Sequence, residues 1–189
     1  MKTQHLRCRR ICILAGVLVT ALATRAIAQT AAPTAEQVKA AYLHKFAGYV
    51  EWPQKAFADP SKPFVVAVVG ADDVYSELAR LVVGRTVQGR PVEVRHLERT
   101  DLAADVHVLY IGKDVGAEAA AGIVAAYRGK PVLAVTDVPR GVDVGGALNF
   151  VQTEKRVRFD AAPAVAEQNG LHLSSRLLAV AERVGGAPP

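Results

Sequence analysis

Phe64 to Val69 is a continuous apolar run with four valines, closed by Gly70. It is too short for a helix, so it predicts a central strand covered on both faces. Such a strand needs neighbours in its sheet and a layer above and below it, and the following sequence supplies them in alternation. Asp72 is placed to cap a helix carrying Val74, Leu78, Leu81 and Val82, which Gly84 stops. Pro91 to His96 alternates Val92 and Val94 with Glu93 and Arg95, the pattern of a strand with one wet face. Val106 to Ile111 reads as another buried strand, Gly116 to Tyr127 as an alanine-rich helix and Val132 to Thr136 as a fourth strand. Strand and helix alternate, which predicts a single α/β domain with a mixed, mostly parallel sheet flanked by helices.

The segment before this sheet reads as its first covering helix. Thr34 followed three residues later by Gln37 makes a capping box, and Val38, Ala41, Tyr42, Phe46 and Tyr49 fall at helical spacing. Burying Val38, Tyr42, Phe46 and Tyr49 would contribute roughly 1.5–3 kcal/mol each, an upper bound because the unfolded chain is already partly collapsed. Gln54 to Pro63 reads as a surface loop. After Gly145 the pattern changes. Gly146 to Val151, a turn at Gln152-Thr153-Glu154, and Lys155 to Asp160 predict an antiparallel C-terminal hairpin. Asp160 is then expected to cap a short helix containing Pro163, Leu171 to Leu173 to be extended, and Ser174 or Ser175 to cap a last helix. That helix would turn Leu177, Leu178, Ala181 and Val184 inward and end at Gly185.

The first 28 residues have the form of a signal peptide. Lys2, Arg7, Arg9 and Arg10 form a basic start, Ile11 to Ala23 is apolar, and Ala26-Ile27-Ala28 is a small-residue cleavage site. The apolar run is shorter than the ~20 residues of a membrane span, so a periplasmic protein cleaved after about Ala28 is expected, with no membrane insertion afterwards. Arg9-Arg10 leaves both the general and the twin-arginine export routes open. Residues 29–33 read as a leader, 34–185 as the domain and 186–189 as a disordered tail. Five of the 23 basic side chains and none of the 18 acidic ones lie in the signal, so the mature chain carries 18 of each. Overall charge then gives no argument for nucleic acid as a partner. Cys8 and Cys12 also lie in the signal, so the mature domain stands without disulfides.

No constellation makes a convincing catalytic centre. His172 precedes Ser174 by two residues, but helix capping accounts for the serine. His44, His96, His107 and His172 lie on separate elements without paired ligand spacing, so no metal and no cofactor are expected. His107, in a buried strand, reads as a neutral core imidazole, or as a pH sensor should it be accessible. Gly141, Gly145 and Gly146 lack the following Lys-Ser/Thr of a P-loop and read as turns before the hairpin. Asp72-Asp73 could hold a metal, with capping the simpler role.

Two features look more like docking surface. Arg156 and Arg158 share one face of the hairpin's second strand, suited to an acidic patch on a partner, although charged side chains also protect an ordinary solvated edge. Glu51-Trp52-Pro53 ends the first helix. Its tryptophan is either a core plug or an interface anchor. Lys45 lies in the expected apolar stripe, where its stem can snorkel to water or its ammonium can meet a partner carboxylate.

Tyr42, Lys45-Phe46, Glu51-Trp52-Pro53, Gly145-Gly146, Asn149-Phe150, Val157-Arg158-Phe159 and Gly170-Leu171 through Leu177-Leu178 together resemble the YfiR family. The resemblance implies a periplasmic regulator that restrains a membrane-bound diguanylate cyclase, and so lowers cyclic di-GMP. It also implies a homodimer acting on the periplasmic domain of an inner-membrane cyclase or sensor kinase. Lys45, Glu51, Trp52, Arg156 and Arg158 are then candidate partner-binding residues. Some family members carry cysteines in the mature domain and could respond to redox state, which this chain cannot. After Val157-Arg158-Phe159 the family usually shows an acidic residue and then Ile-Asn, whereas Asp160 is followed here by Ala161-Ala162. A second reading, from the residues alone, is a small-ligand receptor with its pocket near Gly70 to Asp73 and Ile111 to Asp114. A third, a hydrolase, rests on His172 and Ser174.

Overall fold

The valine-rich run forms β2 (Phe64–Val69), and every residue in it is buried. A computed structural model describes residues 32–101, 103–153 and 156–185. The signal segment, most of the leader, Glu154, Lys155 and the tail 186–189 lie outside the described residues. β2 is flanked in parallel by β4 (Arg90–Leu97) and β5 (Val108–Ile111). β6 (Leu133–Thr136) and β7 (Leu148–Thr153) continue in parallel beyond β5. β8 (Arg156–Ala161) returns antiparallel to β7, β10 (Arg183–Val184) adds outside it, and β3 (Thr86–Val87) closes the far end against β4. The result is a mixed, mostly parallel sheet with an antiparallel hairpin and flanking helices, as expected. A separate antiparallel pair joins β1 (Val50–Glu51) to β9 (His172–Leu173).

Alternation along the strands divides the core into two layers. Phe64, Val66, Val68, Val108, Tyr110, Leu133, Val135, Leu148 and Phe150 face α1 (Ala35–Gly48) and α2 (Asp72–Leu81). Val65, Ala67, Val69, Leu109, Ile111 and Ala134 face α3 (Ala117–Ala125). Because β2 carries a buried helix layer on each side, it cannot alternate polar and apolar residues, which is why it reads as an unbroken apolar run.

α1 begins as its sequence predicts, with Gln37 N–H donating to Thr34 Oγ1 (3.3 Å) and Thr34 N–H to Gln37 Oε1 (3.2 Å). Its buried face is rotated from the expected stripe. Lys39, Ala40, Leu43, Phe46 and Ala47 are inside, Val38 and Tyr42 are only partly covered, and Tyr49 is 41% exposed. Ala40 and Ala47 present little bulk toward the sheet, while Tyr42 stays at the rim, stacked on Phe46 and edge-on to Phe159. Phe46 sits 5.0 Å from Phe159 and 5.8 Å from Phe150, ring centre to ring centre, tying the helix to both strands of the hairpin.

Four further elements depart from the sequence reading. Ala71, not Asp72, occupies the N-cap of α2. The acidic pair sits in the first turn, where it still complements the helix dipole. Asp160 does not cap α4 (Pro163–Gln168), whose N-cap is Ala162. It belongs to β8 and accepts from Arg183 Nε (3.1 Å) and Nη2 (2.6 Å). The last helix is the short α5 (Ser175–Leu178), capped as expected by Ser174, and the chain then forms β10. Val184 is therefore exposed rather than inward. The open carbonyls of β8 draw the chain out of helical geometry, with Glu182 N–H donating to Phe159 O (2.8 Å) and Gly185 N–H to Ala161 O (2.9 Å). In the hairpin, Thr153 pairs with Arg156, so Gln152 and Thr153 extend β7 rather than form the turn.

Removing the aromatic contact should be costly. Phe46→Ala is expected to destabilise the domain by about 3–5 kcal/mol, measured by urea unfolding, with native-like circular dichroism in the remaining folded population.

Candidate functional site

β2 and β5 are neighbours, and the chain leaves the carboxyl end of β2 into α2 on one face of the sheet and the carboxyl end of β5 into α3 on the other. The strand ends diverge there, as at the ligand crevices of doubly wound sheets. Gly70 continues the chain at φ +61°, and a Cβ on Gly112 would lie 2.2 Å from Gly70 O, so the two crossing loops meet at a distance only glycine permits. Beside them opens a cleft of about 430 Å³. Its polar rim consists of Glu36, Lys39, Asp72, Asp73, Lys113, Asp114 and Asp137, five carboxylates against two ammonium groups. Asp72 also lies 2.8 Å from His96 Nε2, and that imidazole packs against the Tyr75 ring.

The cleft wall contains a buried charge pair. Lys39 Nζ donates to Asp137 Oδ2 at 2.6 Å, with side-chain exposures of 6% and 12%. The Tyr110 hydroxyl donates to the same oxygen at 3.2 Å. Burial first, and then the Asp137 carboxylate, push the Tyr110 hydroxyl far above its ordinary value, so it remains a protonated donor. Asp137 N–H donates to Ile111 O (2.9 Å), which fixes the carboxylate at the end of β6. The pair was not legible in the sequence. The apolar stripe read there omitted the face on which Lys39 lies, and nothing local joins it to an aspartate 98 residues away. Lys39→Ala strands a carboxylate and is expected to cost about 3–5 kcal/mol, whereas Lys39→Met combined with Asp137→Leu should cost far less or nothing. Chemical denaturation of both variants checks this.

A second cleft, of about 340 Å³, lies at the amino ends of β5 and β6. Several of its basic groups are already engaged. The Arg90 guanidinium donates to Asp59 O, Lys62 O and Phe57 O, pinning the 54–63 loop. Lys62 pairs with Asp105, and Lys130 lies over the Tyr127 ring. Deeper in, His107 accepts from Val65 N–H at Nδ1 (3.1 Å) and reaches Ala56 O from Nε2 (3.0 Å), so both ring nitrogens serve a neutral core imidazole. Trp52, Phe57 and Phe64 surround it.

Desolvation holds His107 below the ordinary histidine value, with the bond to Ala56 opposing and Arg90, Arg95 and Asp105 adding smaller effects. His44 is lowered in the same direction by burial and then Arg85. The unfolded chain thus binds these protons first. Stability is full above about pH 6.5 and falls as pH drops from there through the folded values. Urea midpoints measured between about pH 7 and 5 should decline, and His107→Gln should make that decline shallower.

The sequence-derived docking residues fall on two surfaces. Lys45 is exposed on the outer side of α1, and Glu51 is exposed in β1, opposite His172. Trp52 takes the core-plug role. It is partly buried, edge-on to Phe64 at 5.4 Å, with Nε1–H donating to Ala47 O (3.1 Å). Arg156 is exposed, and Arg158 lies 3.3 Å from Glu182. Val157 and Phe159 turn inward toward α1, so alternation sends Arg156 and Arg158 to the opposite face. The structure does not bring the arginines together with Lys45, Glu51 and Trp52. Ser174 is occupied as a cap, and His172 lies in β9. Among the described residues no group of three or more His, Cys, Asp or Glu is arranged to hold a metal, and no helix is long and apolar enough to cross a membrane.

The fold and the crevice at its strand ends define a single doubly wound α/β domain closed by an antiparallel hairpin. The family model described as YfiR/HmsC-like matches residues 36–182, and the chain belongs to that family. A search of curated proteins gives no match.

Proposed function

We propose that this protein is a periplasmic regulator that restrains an inner-membrane signalling enzyme, a diguanylate cyclase, and so lowers cyclic di-GMP. The observation that carries the reading is membership of the YfiR/HmsC-like family across residues 36–182, nearly the whole described domain. The exposed charges at Lys45, Glu51 and Arg156 are consistent with docking on the enzyme's outer-facing domain. Restraint requires tighter binding to the inactive than to the active form of the enzyme, and a difference of ~1–3 kcal/mol moves output several-fold. Export followed by cleavage after about Ala28, and a homodimer matched to a dimeric enzyme, belong to this proposal.

A second reading, a small-ligand receptor, is favoured by the open cleft beside Gly70 and Gly112. Its carboxylate-rich rim disfavours anionic ligands. Deletion of the gene should raise cellular cyclic di-GMP, and the exported form, but not a signal-less one, should restore the lower level. An unchanged level together with a thermal shift on adding a metabolite would favour the receptor.

A further inference from the structure

We propose that the uncovered outer edge of β8, from Arg156 to Arg158, takes an extended acidic segment of a partner protein as an added strand. The proposal deepens the regulatory reading and rests on it only for the identity of the partner. Beyond Leu148 and Asn149, β7 has no strand on its far side among the described residues, so residues 150–153 and 156–159 form a two-stranded arm standing clear of the parallel sheet. The inner face of that arm is closed by α1, through Phe46 on Phe150 and Phe159. Among the described residues no strand pairs with the arm's outer edge between Arg156 and Phe159.

β10 pairs only with Asp160 and Ala161. The bonds from Glu182 N–H to Phe159 O and from Gly185 N–H to Ala161 O show that odd-numbered residues of β8 turn their main-chain groups outward. Strand alternation gives Val157 the same direction, and β10, parallel to β8, begins opposite Asp160 and runs away from Val157. The amide and carbonyl of Val157 are thus presented to an incoming strand, the arrangement used in β-augmentation.

The side chains beside this edge select what can add. Arg156, Arg158 and Arg183 lie on one face, with Asp160 taken by Arg183 and Glu182 by Arg158. Arg156 has no ion pair among the described residues. Two copies of this edge paired about a twofold axis would set arginine beside arginine, which is destabilising. An incoming segment with carboxylates at alternate positions would instead place opposite charges across the new ladder. Arginines that deter indiscriminate edge pairing also admit such a segment.

The test uses the protein isolated after export and two short synthetic peptides, one alternating glutamate with valine and one alternating lysine with valine. The glutamate peptide should bind and slow hydrogen exchange at the Val157 amide, and the lysine peptide should not. Combined Arg156→Glu and Arg158→Glu should weaken binding by about tenfold or more without changing the thermal midpoint greatly. Val157→Pro should abolish binding, whereas Val157→Ala, which loses similar packing but keeps the N–H, should retain it. No binding by the glutamate peptide, equal binding by both peptides, or an unprotected Val157 amide overturns the proposal. An unchanged cyclic di-GMP level on gene deletion would overturn the regulatory reading instead and leave the peptide result standing.

Discussion

The contact of Phe46 with Phe150 and Phe159 is the interaction on which the rest of the arrangement depends. A parallel sheet supports itself through strand ladders, but the β7–β8 arm runs past the end of β6 and has no such support on its inner face. α1 supplies it. One aromatic side chain joins the amino-terminal helix to the carboxyl-terminal hairpin, and Tyr42 seals the rim of that joint. The buried Lys39 pair anchors the other end of the same helix at β6. Between these two points α1 lies over the carboxyl half of the sheet and forms one wall of the crevice beside Gly70.

This placement separates the molecule's surfaces. The crevice mouth is acidic, and its deeper charges neutralise one another, whereas the outer edge of the hairpin is basic and its main chain is open. Trp52 and His107 occupy interior positions at the opposite end of β5, where their ring contacts hold the 54–63 loop against the sheet. Tryptophan at that site supports the fold, and of the residues the sequence offered for docking the exposed ones, Lys45, Glu51 and Arg156, are charged. The proposed regulation, a coupling free energy between this protein and an enzyme, would act through such a surface.

Most of the architecture was legible in the sequence because burial on two faces leaves a recognisable pattern. The unbroken apolar run at 64–69, the half-wet run at 91–96 and the capping box at Thr34 are local consequences of the final structure, and each element formed where its residues indicated. The errors fell where a tertiary partner outweighed local preference. The buried face of α1 turned to bring Lys39 to Asp137 and alanines to the sheet. The last segment left the helix because β8 offered unpaired carbonyls. Asp160 was drawn to Arg183 rather than to a helix terminus.

Residue order alone carried the α/β class, the positions of the main strands and of the first helix, and the family to which the chain belongs. Those properties are carried by the order and periodicity of residues along the chain. Only the tertiary structure decided that the candidate docking residues lie on two surfaces, that Trp52 is committed to the interior, and that the edge of β8 is covered at one end and open at the other. Each of these depends on which distant strand or helix lies alongside, and no local pattern of side chains encodes that neighbour.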